Sequence, residues 1–245
     1  QIYSPELEYL GQIDAVSSYE MTRSWNDTGA FSFETDRQLI PGAGLQTDYL
    51  VTFDNDPHRA GILRSVNQTE TDTIGVTASG ETLNGLLSQR LNLQPQLPEL
   101  AALNYGYDLV PQYNASGEVL DNLPCESIIK AYVERHCVAP DDPFRKIGFL
   151  QIAVDLQRGQ FTKWMAKNGD ILLDTLKSIS EYSGLGFEIV LDAKERAMVF
   201  DVIEGRSLPV SFSTDLYDVV SIGYRQSTEG DKNIGYAAGL TYDDM

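Results

Sequence analysis

The sequence predicts a mainly β protein with a few helices, an α+β chain, and three observations carry that prediction. Short runs in which apolar and polar residues alternate, broken by Gly, Pro, Asn or Asp turns, recur over residues 2–78. Residues 169–205 combine one clear helix with one clear hairpin, a packing unit around which the rest of the chain can be read. Three further runs, 208–212, 219–225 and 234–238, bring the chain to its end in strands.

Residues 2–4 and 9–16 read as short strands around the turn residues Pro5 and Gly11. Tyr19, Met21, Arg23 and Trp25 then alternate with Glu20, Thr22 and Ser24, an Asn-Asp-Thr-Gly turn follows at 26–29, and Phe31, Phe33 and Thr35 return. Tyr49, Val51 and Phe53, then Ile62, Arg64 and Val66, then Ile74, Val76 and Ala78 make an antiparallel meander, which must curl or pack to hide its apolar face. Over 79–90 the spacing turns helical, with Leu83, Leu86 and Leu87 on one side, as for a helix capping a small barrel.

Residues 92–122 lose this pattern among prolines and glycines and mark a boundary. Pro124 opens a helix to about Cys137 with Ile128, Ile129, Tyr132 and Val133 inward, and 148–156 and 161–165 read as paired strands joined at Arg158-Gly159. In the central unit Asp170 is the expected cap, Leu172, Leu176 and Ile179 recur at helical spacing, and Gly184 ends the helix in the left-handed conformation. Phe187, Ile189 and Leu191 alternate up to a turn at 193–195, and Met198, Phe200 and Val202 return. The chain divides on this reading into 1–91, 92–145 and 146–245, the last part carrying the helix at 170–183.

The 245 residues, 42% of them hydrophobic, suffice for a sizeable core. No run approaches the roughly 20 apolar residues of a membrane helix, and no basic-then-apolar leader opens the chain. Gln1 stands where an initiator Met is expected, which reads as processing or as a fragment. Against 18 basic residues stand 36 acidic ones, and a net charge of -18 argues against binding DNA, RNA or an anionic membrane. The acid is spread along the chain and reads as solubility, or as a surface that nucleic acid must pass without sticking. Cys125 and Cys137 fall on one expected helix, about 18 Å apart and too far for a disulfide, so they read as free thiols in a reducing compartment.

His58 and His136 lack neighbours at zinc-ligand spacing and read as surface residues, His136 favoured late in a helix by the dipole. Gly184-Leu185-Gly186 precedes a strand, so it ends a helix and cradles no phosphate. Paired carboxylates could serve a glycosidase, but 36 acidic residues single out none. Asp141-Asp142 and Asp243-Asp244 read as solvated charge, and Asp54-Asn55-Asp56 only faintly as a calcium loop. Tyr105, Tyr107 and Tyr113 read as loop anchors, with a sugar platform or an intersubunit contact as alternatives. No catalytic, cofactor-binding or metal-ligating set emerges.

The order of five stretches carries a resemblance. IYSPELEYLGQIDAVSSYEMTRSWNDTGAFSFET is followed by AGILRSV, VTASGETLNGLLSQR, LLDTLKSISEYSGLGFEIVLD and VSFSTDLYDVVSIGYRQSTEGDKNIGYAAG. This succession resembles the siphophage tail and baseplate hub proteins, which often form the N-terminal part of tail-associated lysins or tail fibres. The resemblance implies two tail-tube-like β-barrel domains with intervening α/β elements. It implies a homotrimer in the virion tail, made in the host cytoplasm, with the tail tube protein and the distal tail protein as partners and a tail fibre or lysin as a further one. DNA would meet it only by passage through the lumen, and neither membrane nor cofactor enters. Its role would be structural, connecting tube to tip; the alternatives are a carbohydrate-binding β module or a cell-wall hydrolase. Tyr49, Phe53, Tyr217 and Tyr224, aromatics on expected strands, are the candidate interface residues, with core positions as the alternative.

Overall fold

A computed structural model describes residues 1–42, 44–70, 74–93, 117–207 and 209. Gln1–Gly205 form one compact unit, while the strands expected at 208–212, 219–225 and 234–238 lie, Pro209 apart, outside the described residues. Among the described residues the architecture is mainly β with a few short helices, as the alternation predicts.

Strands β1 (Ile2–Tyr3), β2 (Tyr9–Gly11), β3 (Ser18–Thr22), β4 (Ala30–Asp36), β5 (Leu50–Thr52), β6 (Ala60–Glu70) and β7 (Ile74–Thr82) make a seven-stranded antiparallel sheet. Its order is β2-β1-β5-β6-β7-β4-β3. β3 and β4 form the expected hairpin with Tyr19 opposite Phe33, though β3 stops at Thr22, short of Trp25. Phe31, Phe33 and Thr35 are buried between more exposed neighbours, and they join Ile2, Val51, Leu63, Val76 and Ala78 on one face. The sheet is strongly curled. β5 and β3 are four places apart, about 19 Å in a flat sheet, yet the ring of Phe53, just past β5, lies 4.5 Å from that of Tyr19 on β3.

The helix expected over 79–90 is shorter than the spacing predicts, because the stretch opens as strand. The ladder runs on to Thr82, and only α1 (Gly85–Ser88) is helical. Gly80 explains why strand reaches into this stretch: a Cβ there would meet the Ile62 carbonyl oxygen at 1.9 Å, so its absence lets β6 and β7 close up before the leucines begin. Leu83 and Leu87 still point inward and are fully buried.

Beyond the curled sheet, β8 (Glu118–Pro124) pairs with β10 (Phe161–Ala166), so the irregular stretch expected over 92–122 ends in a strand. β9 (Leu150–Ile152) joins β11 (Gly186–Asp192) and β12 (Ala197–Ile203) in a sheet of order β11-β12-β9, with β9 parallel to β12. The hairpin expected between 148–156 and 161–165 is therefore absent. Arg158 binds Glu126 through its backbone N–H and guanidinium instead of turning the chain, and the two strands go to different sheets.

Helix α2 (Cys125–Val133) follows Pro124, continues as a π-helical turn over Glu134–Val138, and buries Ile128, Ile129, Tyr132 and Val133 as expected. Helix α3 (Leu172–Ser183) buries Leu172, Leu176 and Ile179, and Gly184 at φ 76° closes it by donating to the Ser180 carbonyl. Asp170 does not cap α3. The helix begins two residues later, and the Leu172 N–H donates to the Arg90 carbonyl at 2.8 Å, so a tertiary contact replaces the expected cap. β11 and β12 form the expected hairpin, from Gly186 opposite Ile203 to Asp192 opposite Ala197. Both helices and this hairpin share a core with Leu83, Leu87, Tyr3 and Leu50 from the curled sheet and its trailing turn. Each such side chain contributes about 1.5–3 kcal/mol by leaving water.

Candidate assembly interface

An edge strand exposes unpaired amide groups, and what happens at each edge decides where another chain can attach. At β11 the edge is closed from within. The N–H groups of Phe187, Ile189 and Leu191 donate to Trp25 O at 3.1 Å, Asn84 Oδ1 at 2.9 Å and Pro57 O at 3.2 Å. Asn84 also donates to the carbonyls of Phe187 and Asp27. Gly186 is required here, because a Cβ would lie 2.6 Å from the Trp25 indole. Glu188 accepts from Arg23 at 3.0 Å and faces His58 Nδ1 at 2.8 Å, so the half-exposed His58 serves as a tie between the loop after β5 and β11. A groove of about 270 Å³ lies beside them, lined by Trp25, Arg23, His58 and Glu188.

By contrast β2 and β3 end the curled sheet, with no further ladder partner among the described residues. Tyr9, Leu10 and Tyr19 stand exposed along these edges.

The α2 start holds a buried ionic cluster. Glu126, 0% exposed, accepts from Lys130 Nζ at 2.8 Å, from Arg158 Nε at 2.8 Å, and from the N–H groups of Arg158 and Leu156. Lys130 also donates to Asp201 and to the Val154 carbonyl. Burial alone would raise the Glu126 pKa, but the hydrogen bonds from Arg158, Lys130 and the two amides outweigh it and lower it to about 2. The cluster's outcome is mechanical: it fixes the loop between β9 and β10 onto α2. Sequence reasoning passed over it. The available signal was Glu126 and Lys130, an i, i+4 pair among otherwise buried positions of one helix.

A second buried carboxylate, Glu118, pairs with Arg135 and stands 3.4 Å from His136 Nε2 without a hydrogen bond. His136, expected at the surface, is 2% exposed, because the π-helical turn swings it inward to stack on Tyr132. Burial, with Arg145 and Arg135 adding to it, lowers its pKa to about 4, so the ring is neutral at physiological pH. Cys125 and Cys137 are free, as expected, and both prove buried; burial pushes the Cys137 thiol up to about 12. Asp54 and Asp56 of the faint calcium loop both turn to Arg59.

Compared with known protein families, residues 1–243 match the model of the Siphovirus ReqiPepy6 Gp37-like proteins, almost the whole chain. The chain belongs to this family. It is thus a siphophage tail protein, and its place is the virion tail. No curated protein matches it. Among solved structures it is similar to the prophage tail protein gp18 of Listeria monocytogenes EGD-e, at 10% identity and a TM-score of 0.43 over 77% of this chain and 44% of that one. A tail protein of Neisseria meningitidis MC58 gives 15% identity and 0.42 over 74% and 44%. The E. coli c3393 protein, a type VI secretion component described as similar to the T4 tail proteins gp27 and gp5, gives 10% and 0.42 over 77% and 45%. The chain spans under half the length of these structures.

Of the candidate interface residues in this tail protein, Tyr49 and Phe53 are partly buried and pack against the same apolar cluster of the curled sheet. Phe53 makes edge contacts with Phe31 at 5.3 Å and Phe33 at 5.9 Å besides its contact with Tyr19. Tyr217 and Tyr224 lie outside the described residues, as do Tyr105, Tyr107 and Tyr113. Among the described residues no helix is long and apolar enough to cross a membrane.

Proposed function

We propose that this tail protein is a hub component that connects the tail tube to the tip and lets DNA pass during ejection. The observation that carries the reading is the curled sheet whose end strands, β2 and β3, have no further ladder partner among the described residues, in a chain of a siphophage tail family. Curvature sets such a sheet on the way to enclosing a channel, and unpaired edges suit lateral association of subunits. The role is structural and involves no cofactor.

On this reading the copies form a homotrimer, and residues 1–91 and 146–245 supply two tube-like domains joined by 92–145. Tyr49, Phe53, Tyr217 and Tyr224 contribute to contacts with the tail tube protein, the distal tail protein or a neighbouring copy. A tail fibre or lysin is a further partner. The net charge of -18 would keep DNA from adhering to an acidic lumen. Fab fragments raised against the chain and imaged on purified virions test the reading. Label at the tail tip beyond the tube supports it, and label confined to the neck or the shaft rejects it.

A sugar-binding reading draws on one observation, the half-exposed Trp25 face beside Arg23, His58 and Glu188 in the groove at β11. Titration of the Trp fluorescence with cell-wall oligosaccharides tests it; a flat titration removes it.

A further inference from the structure

The groove beside β11 is built in advance of any ligand. Trp25 stands on the tip of the hairpin between β3 and β4, and that tip is tied down. The Trp25 carbonyl accepts from the Phe187 N–H at 3.1 Å, the Asp27 carbonyl accepts from Asn84 Nδ2 at 3.2 Å, and the Asp27 carboxylate pairs with Lys177 on α3. The indole rests against Gly186, yet Trp25 is 42% exposed and lines the groove. An aromatic ring held in place before its partner arrives spares binding the entropy of ordering it.

The polar lining is uneven. Glu188 Oε1 is engaged by His58 Nδ1 and Oε2 by Arg23, while the side-chain amide of Asn84 is taken up by backbone groups. Within the described residues, Arg23 Nε and Nη1, the Ser24 hydroxyl and the Trp25 indole N–H make no hydrogen bond, and all three residues line the groove. Because His58 Nδ1 faces a carboxylate, the neutral ring carries its proton there and leaves Nε2 as an acceptor. The free groups are therefore mostly donors. A ligand that fits must accept more hydrogen bonds than it donates.

Chemistry narrows the ligand further. The fork of a guanidinium matches a carboxylate better than it matches a hydroxyl. The indole offers a flat apolar face, which suits the C–H face of a sugar ring, and the ring hydroxyls of a sugar suit Ser24 and His58. A plain aliphatic acid would leave the indole wet, and a neutral sugar would leave the Arg23 donors to water. The net charge of -18 repels anions at long range, but at physiological ionic strength that field is screened beyond about 8 Å, so the contact with Arg23 decides.

We propose that this groove binds a sugar that carries a carboxylate, its ring on Trp25 and its carboxylate on Arg23, an inference that rests on the sugar-binding reading of the groove. Tryptophan fluorescence of the 245-residue chain is titrated with methyl β-glucuronide and with methyl β-glucoside, which differ only in having a carboxylate or a hydroxymethyl group at C6. The glucuronide is expected to bind about tenfold more tightly, the worth of one charge-assisted contact. Arg23→Gln, at a half-exposed position, should bring the two affinities to within about twofold, with far-UV circular dichroism confirming an unchanged fold. Trp25→Phe keeps a ring against Gly186 and leaves Trp164 as the only tryptophan, so the fluorescence response should vanish. Equal affinity of the native chain for both sugars overturns the selection of a carboxylate and spares the sugar-binding reading, whereas no response to either removes both. A response that survives in Trp25→Phe places the sugar at Trp164 and overturns this site. Tighter binding of a short peptide with a free C-terminal carboxylate than of the glucuronide makes the groove a protein contact and overturns the sugar.

Discussion

The rings of Tyr19 on β3 and Phe53 just past β5 lie 4.5 Å apart although three other strands separate β3 from β5. Side chains cannot reach across a flat sheet of that width, so this pair is a direct mark of curvature, and Phe53 holds it through Phe31 and Phe33 as well. Phe53→Ala is expected to lower stability by about 2 kcal/mol, less than a full core truncation because the ring is only partly buried. Urea unfolding measures this, and an unchanged midpoint would mean that the curl does not depend on the aromatic cluster.

Asn84 links the loop at Asp27 to β11 through donors and an acceptor that nothing else replaces. Asn84→Ala leaves the Ile189 N–H and the Phe187 carbonyl unsatisfied, at a cost of about 2–4 kcal/mol. Hydrogen exchange should show it locally, with the Ile189 amide losing protection ahead of the α3 amides.

Glu126→Ala leaves Lys130 and Arg158 partly buried without their carboxylate and is expected to cost about 3–5 kcal/mol. Limited proteolysis supplies the local readout: cleavage should appear first at Arg158, which the native chain holds against α2. A variant as resistant as the native chain would show that the loop is fixed by other means.

Acid should act in two separate windows. The neutral His136 has a pKa of about 4 in the fold against an ordinary 6.5, so the unfolded chain binds a proton that the native one refuses. Stability is full above pH 6.5 and is lost as pH falls toward about 4. His136→Phe, which keeps a ring against Tyr132, should flatten that slope. Glu126 acts lower: its stabilisation is present above pH 4.5 and disappears as pH falls toward about 2. Denaturation midpoints across pH, native chain against variant, separate the two.

The strands and the central helix-hairpin unit were legible because period-two alternation and a terminating glycine are local signals, read correctly at Phe31, Phe33, Gly184 and the β11–β12 hairpin. Partners were not. The leucine spacing at 83–87 is realised only in the short α1, because the close approach of Gly80 to Ile62 carries the strand on to Thr82. Arg158-Gly159 has turn composition, and only the buried Glu126, 32 residues away, diverts it. His136 on its helix gave no sign of the π-helical turn that buries it. Exposure at Val154 and Leu156 left no mark in the sequence either, since it depends on which neighbours fail to cover them.

The most direct test of the hub reading is a cryo-electron microscopy reconstruction of the virion tail tip, into which the curled sheet of residues 1–82 is fitted. A closed ring of copies below the last tube ring, with the sheets around a DNA-wide channel, is the expected result. Copies found only on the outside of the tail, away from the channel, would contradict it.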